Sequence, residues 1–573
     1  MSQIVKKIMP FFAGALIVLS CLVAISTSNN PDLMKSSFSH YGYFLIFVTV
    51  IMWLIVLIGC CKAYAFSMGS FMRNNWQGVL LAFIMTLIIS VSVEPKMRVL
   101  SDEANLLSIS KTLAYEKRAD NVTMGKYDYE RFVPTTWKTP KRPLLFPFLV
   151  SVMHSVTGFQ IENVFIFNYG ILFLSLVLIA SLVKKHINNM WAFSTVFMVC
   201  AYPIVSQNAS SGGFDLFAAF FMLVNFLILK WFLESPQKNK FVFLWTSLLL
   251  LTNIRHEGIV TFFIVMFLLT VLGYVKKEYF SGKTLLVYAF TPFVLLITFW
   301  QRILTKDPFE NKGIDPFSFS NFIDNNLMFL RSFLHHRFVI PYATIINLTG
   351  FIGGIMLLFL VFKGEILKEK YKKHLLLICS LCLMFNWGLY TSFFNGKFVH
   401  PSSSRYYVLF CVVLALVTIM ALYRIAFFKK RPKIVLMMSV VVFLIYHPVS
   451  VQDNFTKTQT LPREYRYVNK VLSAEEYKDE KLFVISARPV HFTSLGMGAV
   501  TFKHANKYAV DIMKDQKSNL FDKIIVVQRV HATTQKPKKG MALSPNYTIQ
   551  TITETMNKYP YKTRISEVTK IEK

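Results

Sequence analysis

The stretch from residue 94 to 160 holds two groups of side chains that could do chemistry. Asp102-Glu103 sets two carboxylates side by side. Such a pair either caps a helix and complements its dipole, or handles a proton in a reaction. Further on, Thr139-Pro140-Lys141-Arg142-Pro143-Leu144 places two cations between prolines, which stiffen the backbone and fix where the cations point. Cations so placed either snorkel at a membrane interface or hold an anion. A third candidate is Asp215, which opens an apolar run after the small-residue loop Asn208-Ala209-Ser210-Ser211-Gly212-Gly213-Phe214. An unpaired carboxylate is costly there and is more often functional than decorative.

The elements that must position these groups follow from composition. The 573 residues are 54% hydrophobic, 15% aromatic and only 16% charged, with a mean hydropathy of +0.46. That excludes a disordered chain and an ordinary soluble one. An apolar run follows Lys6-Lys7 and reads as a retained signal anchor, since no small-x-small cleavage site follows. Further runs of bilayer length lie near 41–61, 77–93, 161–183, 191–205, 214–233, 241–254, 259–275, 284–303, 341–362, 374–394, 405–427 and 434–449. The predicted fold class is a polytopic α-helical membrane protein of about thirteen transmembrane helices with a small C-terminal extracytoplasmic α/β domain. The boundaries are 1–450 for the membrane domain and 451–573 for the tail.

Charge supports this organisation. Lys and Arg total 62 against 31 Asp and Glu, a net charge of +31. Much of the surplus sits in short blocks at alternate loops, such as Lys184-Lys185, Lys276-Lys277 and Lys429-Lys430, where positive-inside retention accounts for it without a nucleic-acid partner. With Lys6-Lys7 inside, residues 94–160, 206–213, 304–340, 395–404 and the tail fall outside the cytoplasm of a plasma (inner) membrane. The seven cysteines all lie in or beside apolar runs and form no disulfide framework. In the tail, Lys481 to Ser486 and Lys523 to Gln528 read as strands and Ala505 to Lys517 as helical. In the first outer loop, Leu106, Leu107, Ile109, Leu113 and Ala114 recur on one side of Ser101 to Lys117, which predicts a helix lying at the membrane surface.

An outer loop that runs from Arg98 through Ser101-Asp102-Glu103-Ala104-Asn105 to Pro140-Lys141-Arg142-Pro143-Leu144 resembles the glycosyltransferase C superfamily. Its lipid A aminoarabinose transferases and protein O-mannosyltransferases are the nearest subgroup, with an Asp-Glu pair and a later Lys-Pro-Pro-Leu-like stretch. The loop ending in Asp215 is similar to the family's second acidic site, and Arg405-Tyr406-Tyr407 to a late Arg-Tyr feature. Lys-Arg-Pro in place of Lys-Pro-Pro, and two additional spans before the loop, depart from the pattern.

The resemblance implies transfer of a sugar from a polyprenyl-phosphate donor to a lipid, glycan or protein acceptor at the outer face, among membrane lipids. Phosphate leaves as a stable anion, so one carboxylate suffices to deprotonate the incoming hydroxyl. Asp102 is the candidate base, and displacement by a single carboxylate implies inversion. Glu103 either orients the acceptor or caps the helix. Lys141, Arg142 and Arg405 are candidates for the donor phosphate. Asp215 is a candidate acceptor or metal contact. Arg255-His256-Glu257, and His400 with Tyr406, either bind substrate or form interfacial pairs. A divalent metal would find ligands in His335-His336 with Asp307 or Asp315, though without a spacing signature. Two other classes compete. A transporter or lipid flippase would carry ionisable groups deep in its spans and show two matching halves. A non-catalytic envelope-polysaccharide assembly protein would tolerate loss of Asp102.

Overall fold

The structure, a computed structural model, describes residues 3–129, 131–305, 315–333, 342–365, 368–457 and 460–572. It divides into two compact units. One comprises Met1–Lys96, Lys141–Val150 and Gln160–Asn454; the other comprises Met97–Pro140, Ser151–Phe159 and Phe455–Lys573. Most of the first outer loop thus falls in the same unit as residues after 454.

The first unit is helical and multi-pass. Among the described residues, ten helices are long and apolar enough to cross a membrane. The other three expected spans take shorter forms. The run near 191–205 becomes Asn189–Cys200 and Pro203–Ala209, bent by 76°; Pro203 cannot donate to the preceding turn, so the helix restarts there. The runs near 241–254 and 259–275 become Lys238–Thr252 and Glu257–Val271, each of 15 residues. At 1.5 Å per residue each covers roughly 22 Å, less than the hydrocarbon thickness. Their connection is a tight turn at Asn253 to His256. Gly258 is needed there, because a Cβ would stand 2.3 Å from the Leu251 carbonyl oxygen.

The second unit is built on a seven-stranded sheet with strands β1 (Asn121–Asp128), β2 (Arg131–Lys138), β3 (Leu482–Ser486), β4 (Gly498–Val500), β5 (Lys523–His531), β6 (Tyr547–Lys558) and β7 (Tyr561–Ile571). Their order is β2-β1-β4-β3-β5-β7-β6. β3 runs parallel to β4 and β5 and the remaining pairs are antiparallel. Alternation along β3 and β5 sends Phe483, Ile485, Ile524 and Val526 to one core and Val484, Ile525 and Val527 to the other. The expected tail strands are β3 and β5, and the expected helical stretch is Phe502–Lys507 followed by Ala509–Lys517.

Two features differ from the sequence expectation. The hairpin β1–β2, from the first outer loop, extends the tail's sheet through Gly125 paired with Ala499. The helix expected at the membrane surface is Leu100–Tyr115, and it is buried nearly all round within this unit. Its polar residues are satisfied internally: the Val122 amide donates to Ser108 Oγ at 3.1 Å, and Ser110 Oγ lies 3.1 Å from His154 Nε2. Ser108, Ser110 and Thr112 are buried beside the leucines, so the apolar stripe marks only part of the packed surface.

Candidate functional site

The membrane unit gathers most of the singled-out residues at the end where helix Asp215–Glu234 begins. Asp215 is its first residue, where the helix dipole favours a carboxylate. The preceding loop is pinned by Asn168, whose Nδ2 donates to the carbonyls of Ser211 and Gly213 at 2.7 and 2.8 Å. The Lys96 amide donates to Ser210 O at 3.0 Å, and Lys96 Nζ is paired with buried Asp453 at 2.6 Å.

The Asp215 side chain is completely buried and lies between two guanidinium groups. Arg255 Nη1 donates to Oδ1 at 2.6 Å, and Arg405 Nη1 stands 3.3 Å from Oδ2. Arg255 also forks onto Glu257, with Nε to Oε2 at 3.3 Å and Nη2 to Oε1 at 3.2 Å. The tight turn after Thr252 brings both residues into one cluster. Tyr390 and Tyr406, stacked with centroids 5.6 Å apart, each lie 5.1 Å from the Arg255 guanidinium, a cation–π arrangement that fixes the fork. Arg405 Nε donates to Ser402 O at 2.9 Å. A cavity of about 30 Å³ lies within the cluster, with Asn386 also on its wall.

The segment from Lys141 to Leu145 is tied to the turn after Thr252. His256 Nε2 lies 3.2 Å from the Lys141 carbonyl oxygen and Leu145 N–H donates to Asn253 O at 2.9 Å. Because a carbonyl only accepts, Nε2 carries the proton. Nδ1 is buried without a hydrogen-bond partner among the described residues. Burial lowers the His256 pKa, and the charges of Arg142 and Arg302 act in the same direction, opposed by Glu257. Arg142 and Arg302 act on His256 as positive charges, beside Arg255 and Arg405, which meet Asp215 and, for Arg255, Glu257.

The remaining candidates have their own surroundings. His400 is exposed, and its Nδ1 lies 2.7 Å from Ser402 Oγ within its own turn. Asp102 and Glu103 belong to the second unit. Asp102 is half-buried on the first turn of helix Leu100–Tyr115. Glu103 is buried, and its Oε2 accepts from the Arg98 amide at 2.6 Å. His335, His336 and Asp307 lie outside the described residues. The Asp215 neighbourhood does not suit a divalent cation, since two guanidinium groups already occupy the carboxylate. Nor do three or more His, Cys, Asp or Glu side chains converge among the described residues.

The sequence alone did not point to Tyr390, Asn386 or Arg302. Asn386 carried a usable signal, as a polar residue within an apolar run. Tyr390 did not, because aromatic residues crowd every span of this chain.

No family model matches the sequence, and no curated protein matches it. Solved structures do match in fold. ArnT from Cupriavidus metallidurans bound to undecaprenyl phosphate aligns with a TM-score of 0.51 at 12% identity, over 85% of this chain and 97% of that one. The same protein in its apo state gives 0.52 at 13%, over 86% and 98%. An oligosaccharyltransferase from Archaeoglobus fulgidus in its apo form gives 0.44 at 11%, over 79% and 69%. The chain thus shares the overall fold of these ArnT structures.

Proposed function

We propose that this protein is an integral membrane glycosyltransferase that moves a sugar from a polyprenyl-phosphate donor to an acceptor hydroxyl at the extracytoplasmic face. The observation that carries the reading is the set of fixed guanidinium groups at one end of the membrane unit, Arg255 and Arg405 held at buried Asp215 and Arg255 also forked onto Glu257. A leaving phosphate is an anion whose charge grows as the glycosidic bond breaks, and preorganised cations stabilise that growth without reorganising. The shared fold with an enzyme solved with undecaprenyl phosphate supports the same donor class.

In this reaction the acceptor oxygen attacks the anomeric carbon opposite the phosphate, the bond from that carbon to the phosphate oxygen breaks, and a carboxylate takes the hydroxyl proton. Asp102 is that base, and one carboxylate gives inversion. Lys141 and Arg142 meet the phosphate as a point charge and a fork. Asp215 and Glu257 serve as positioning residues that hold Arg255 and Arg405 in place, in place of the acceptor or metal role expected for Asp215. His256, neutral with an open Nδ1, accepts a hydrogen bond from a sugar hydroxyl. Glu103 positions the start of the Asp102 helix.

The test is native mass spectrometry with undecaprenyl phosphate. Wild type should bind saturably, and Lys141→Ala/Arg142→Ala should weaken binding by about 2–4 kcal/mol, the cost of charge-assisted contacts in a poorly hydrated site. Asp102→Asn should bind normally yet lose transfer. No binding by wild type removes the donor class, and an active Asp102→Asn enzyme removes Asp102 as base.

A further inference from the structure

We infer that the opposite end of the membrane unit holds a separate binding site, a groove for one anionic phospholipid. It lies where helices Pro31–Ala63, Glu162–His186 and Asp215–Glu234 end and Met68–Ser92 begins, and encloses about 810 Å³, ample for a head group and the first part of an acyl chain.

The groove is amphipathic. Leu57, Leu182, Leu227 and Phe243 line its apolar part, and Phe66 at its edge is 51% exposed, so a fully hydrated solute such as free phosphate leaves most of this surface unmatched. Lys185 and Lys230 line the polar part. Lys185 is exposed and makes no ion pair among the described residues. Lys230 pairs with Glu234 at 2.6 Å, while Lys184 donates to the Asn74 carbonyl. Beside them, Lys240 lies 5.2 and 4.7 Å from the Tyr64 and Trp231 ring centroids. Among the described residues that line the groove, Lys185 and Lys230 face one carboxylate, Glu234, with Lys184 and Lys240 close behind. Basic pockets between helix ends on the cytoplasmic side suit anionic head groups, and ammonium groups on flexible stems adapt to a phosphodiester without demanding one geometry.

The inference is independent of the transfer reaction, and its test separates the two. Purified full-length protein is titrated with phosphatidylglycerol, phosphatidylcholine, undecaprenyl phosphate and inorganic phosphate by native mass spectrometry. Wild type should take up one phosphatidylglycerol at about tenfold lower concentration than phosphatidylcholine. Lys185→Gln/Lys230→Gln should erase that preference, as expected for two lysines facing one head group. Ser70→Phe, which fills the groove without changing charge, should reduce phosphatidylglycerol uptake by a similar factor, guarding against a charge effect at a distance. The Lys141→Ala/Arg142→Ala variant should bind phosphatidylglycerol normally. Equal uptake of the two phospholipids by wild type, or unchanged preference in both groove variants, overturns the site. Displacement of phosphatidylglycerol by millimolar inorganic phosphate overturns a lipid occupant. Displacement by substoichiometric undecaprenyl phosphate that survives Lys141→Ala/Arg142→Ala reassigns the groove to the carrier lipid and overturns the phospholipid.

Discussion

The helix Asp215–Glu234 joins two charged ends of the membrane unit that are built on opposite plans. At its start, Arg255 forks onto half-buried Glu257 and reaches buried Asp215, Arg405 stands against the same Asp215, and tyrosine rings flank them around a cavity of about 30 Å³. At its end, lysines rim a groove of about 810 Å³ and bond largely to backbone carbonyls, hydroxyls or a single glutamate. Guanidinium forks have one productive geometry, and burial makes that geometry expensive to disturb. Ammonium groups on solvated stems have many. The first plan suits a site where charge develops at a fixed place, and the second suits retention of a lipid whose shape varies.

The sharpest way to break this comparison is to remove one carboxylate from each end. Asp215→Ala leaves Arg255 and Arg405 facing one another without their shared partner, and loss of one partner from a buried ion network costs about 3–5 kcal/mol. Glu234→Gln removes an exposed i,i+4 pair worth about 0.5 kcal/mol. Thermal unfolding of the purified protein should show a large drop for the first and almost none for the second. Equal shifts would mean that the two ends do not differ in rigidity.

A second variant tests the turn that carries the fork. Gly258→Ala adds a Cβ 2.3 Å from the Leu251 carbonyl oxygen, so the turn from Asn253 to His256 must open. Overpacking of this kind costs about 1–3 kcal/mol. Gly273→Ala, with open space around its Cβ but a φ of +75°, strains only its own backbone and should leave transfer intact. A Gly258→Ala protein that transfers normally would separate the turn from the function.

Arginine identity gives a smaller effect. Arg255→Lys keeps the charge but cannot make the fork onto Glu257 while reaching Asp215, and transfer should fall about tenfold, roughly 1.4 kcal/mol in the barrier. Lys230→Arg at the other end should leave phosphatidylglycerol uptake unchanged. A tolerant Arg255 site would assign that end the same loose recognition as the lysine groove.

How far this contrast was legible in the sequence depends on the physical signal each part carries. Continuous apolar runs announce spans, and all thirteen expected runs are helical, although three are too short or bent to count as single long spans. Lysine blocks in short loops announced the basic end. Asp215, Arg255 and Arg405 were visible as charges at the edges of apolar runs, but their convergence was not, because positions 215, 255 and 405 meet only through tertiary packing. The fate of the first outer loop was hidden for a different reason. β1, with Thr123, Lys126 and Asp128, lacks the β-branched runs that expose β3 and β5, and it becomes a strand because the tail supplies an edge to pair with. Glu103 could be read from sequence either as a cap or as an acceptor contact, and its buried hydrogen bond from the Arg98 amide was not visible there because it depends on the local backbone path.

The smallest effect is a pH dependence. His256 has its pKa lowered by burial, so the folded state favours the neutral ring. As pH falls below the ordinary 6.5, the unfolded chain takes up a proton at this position while the folded chain does not, and stability declines until the folded pKa is reached. His491 in the second unit, lowered to about 4 by burial, adds a slope of the same sign, so wild type alone does not isolate His256. The informative quantity is the difference between melting curves of wild type and His256→Gln from pH 7.5 to 5. Gln keeps a donor for the Lys141 carbonyl and cannot titrate, so the variant should lose part of the acid-induced decline. Lys238→Gln, which removes a charge at the other end of the unit where Lys238 bonds Ser281, should keep all of it. If both variants follow wild type, the His256 environment is as open to solvent as the lysine rim, and the contrast in burial between the two ends fails at this position.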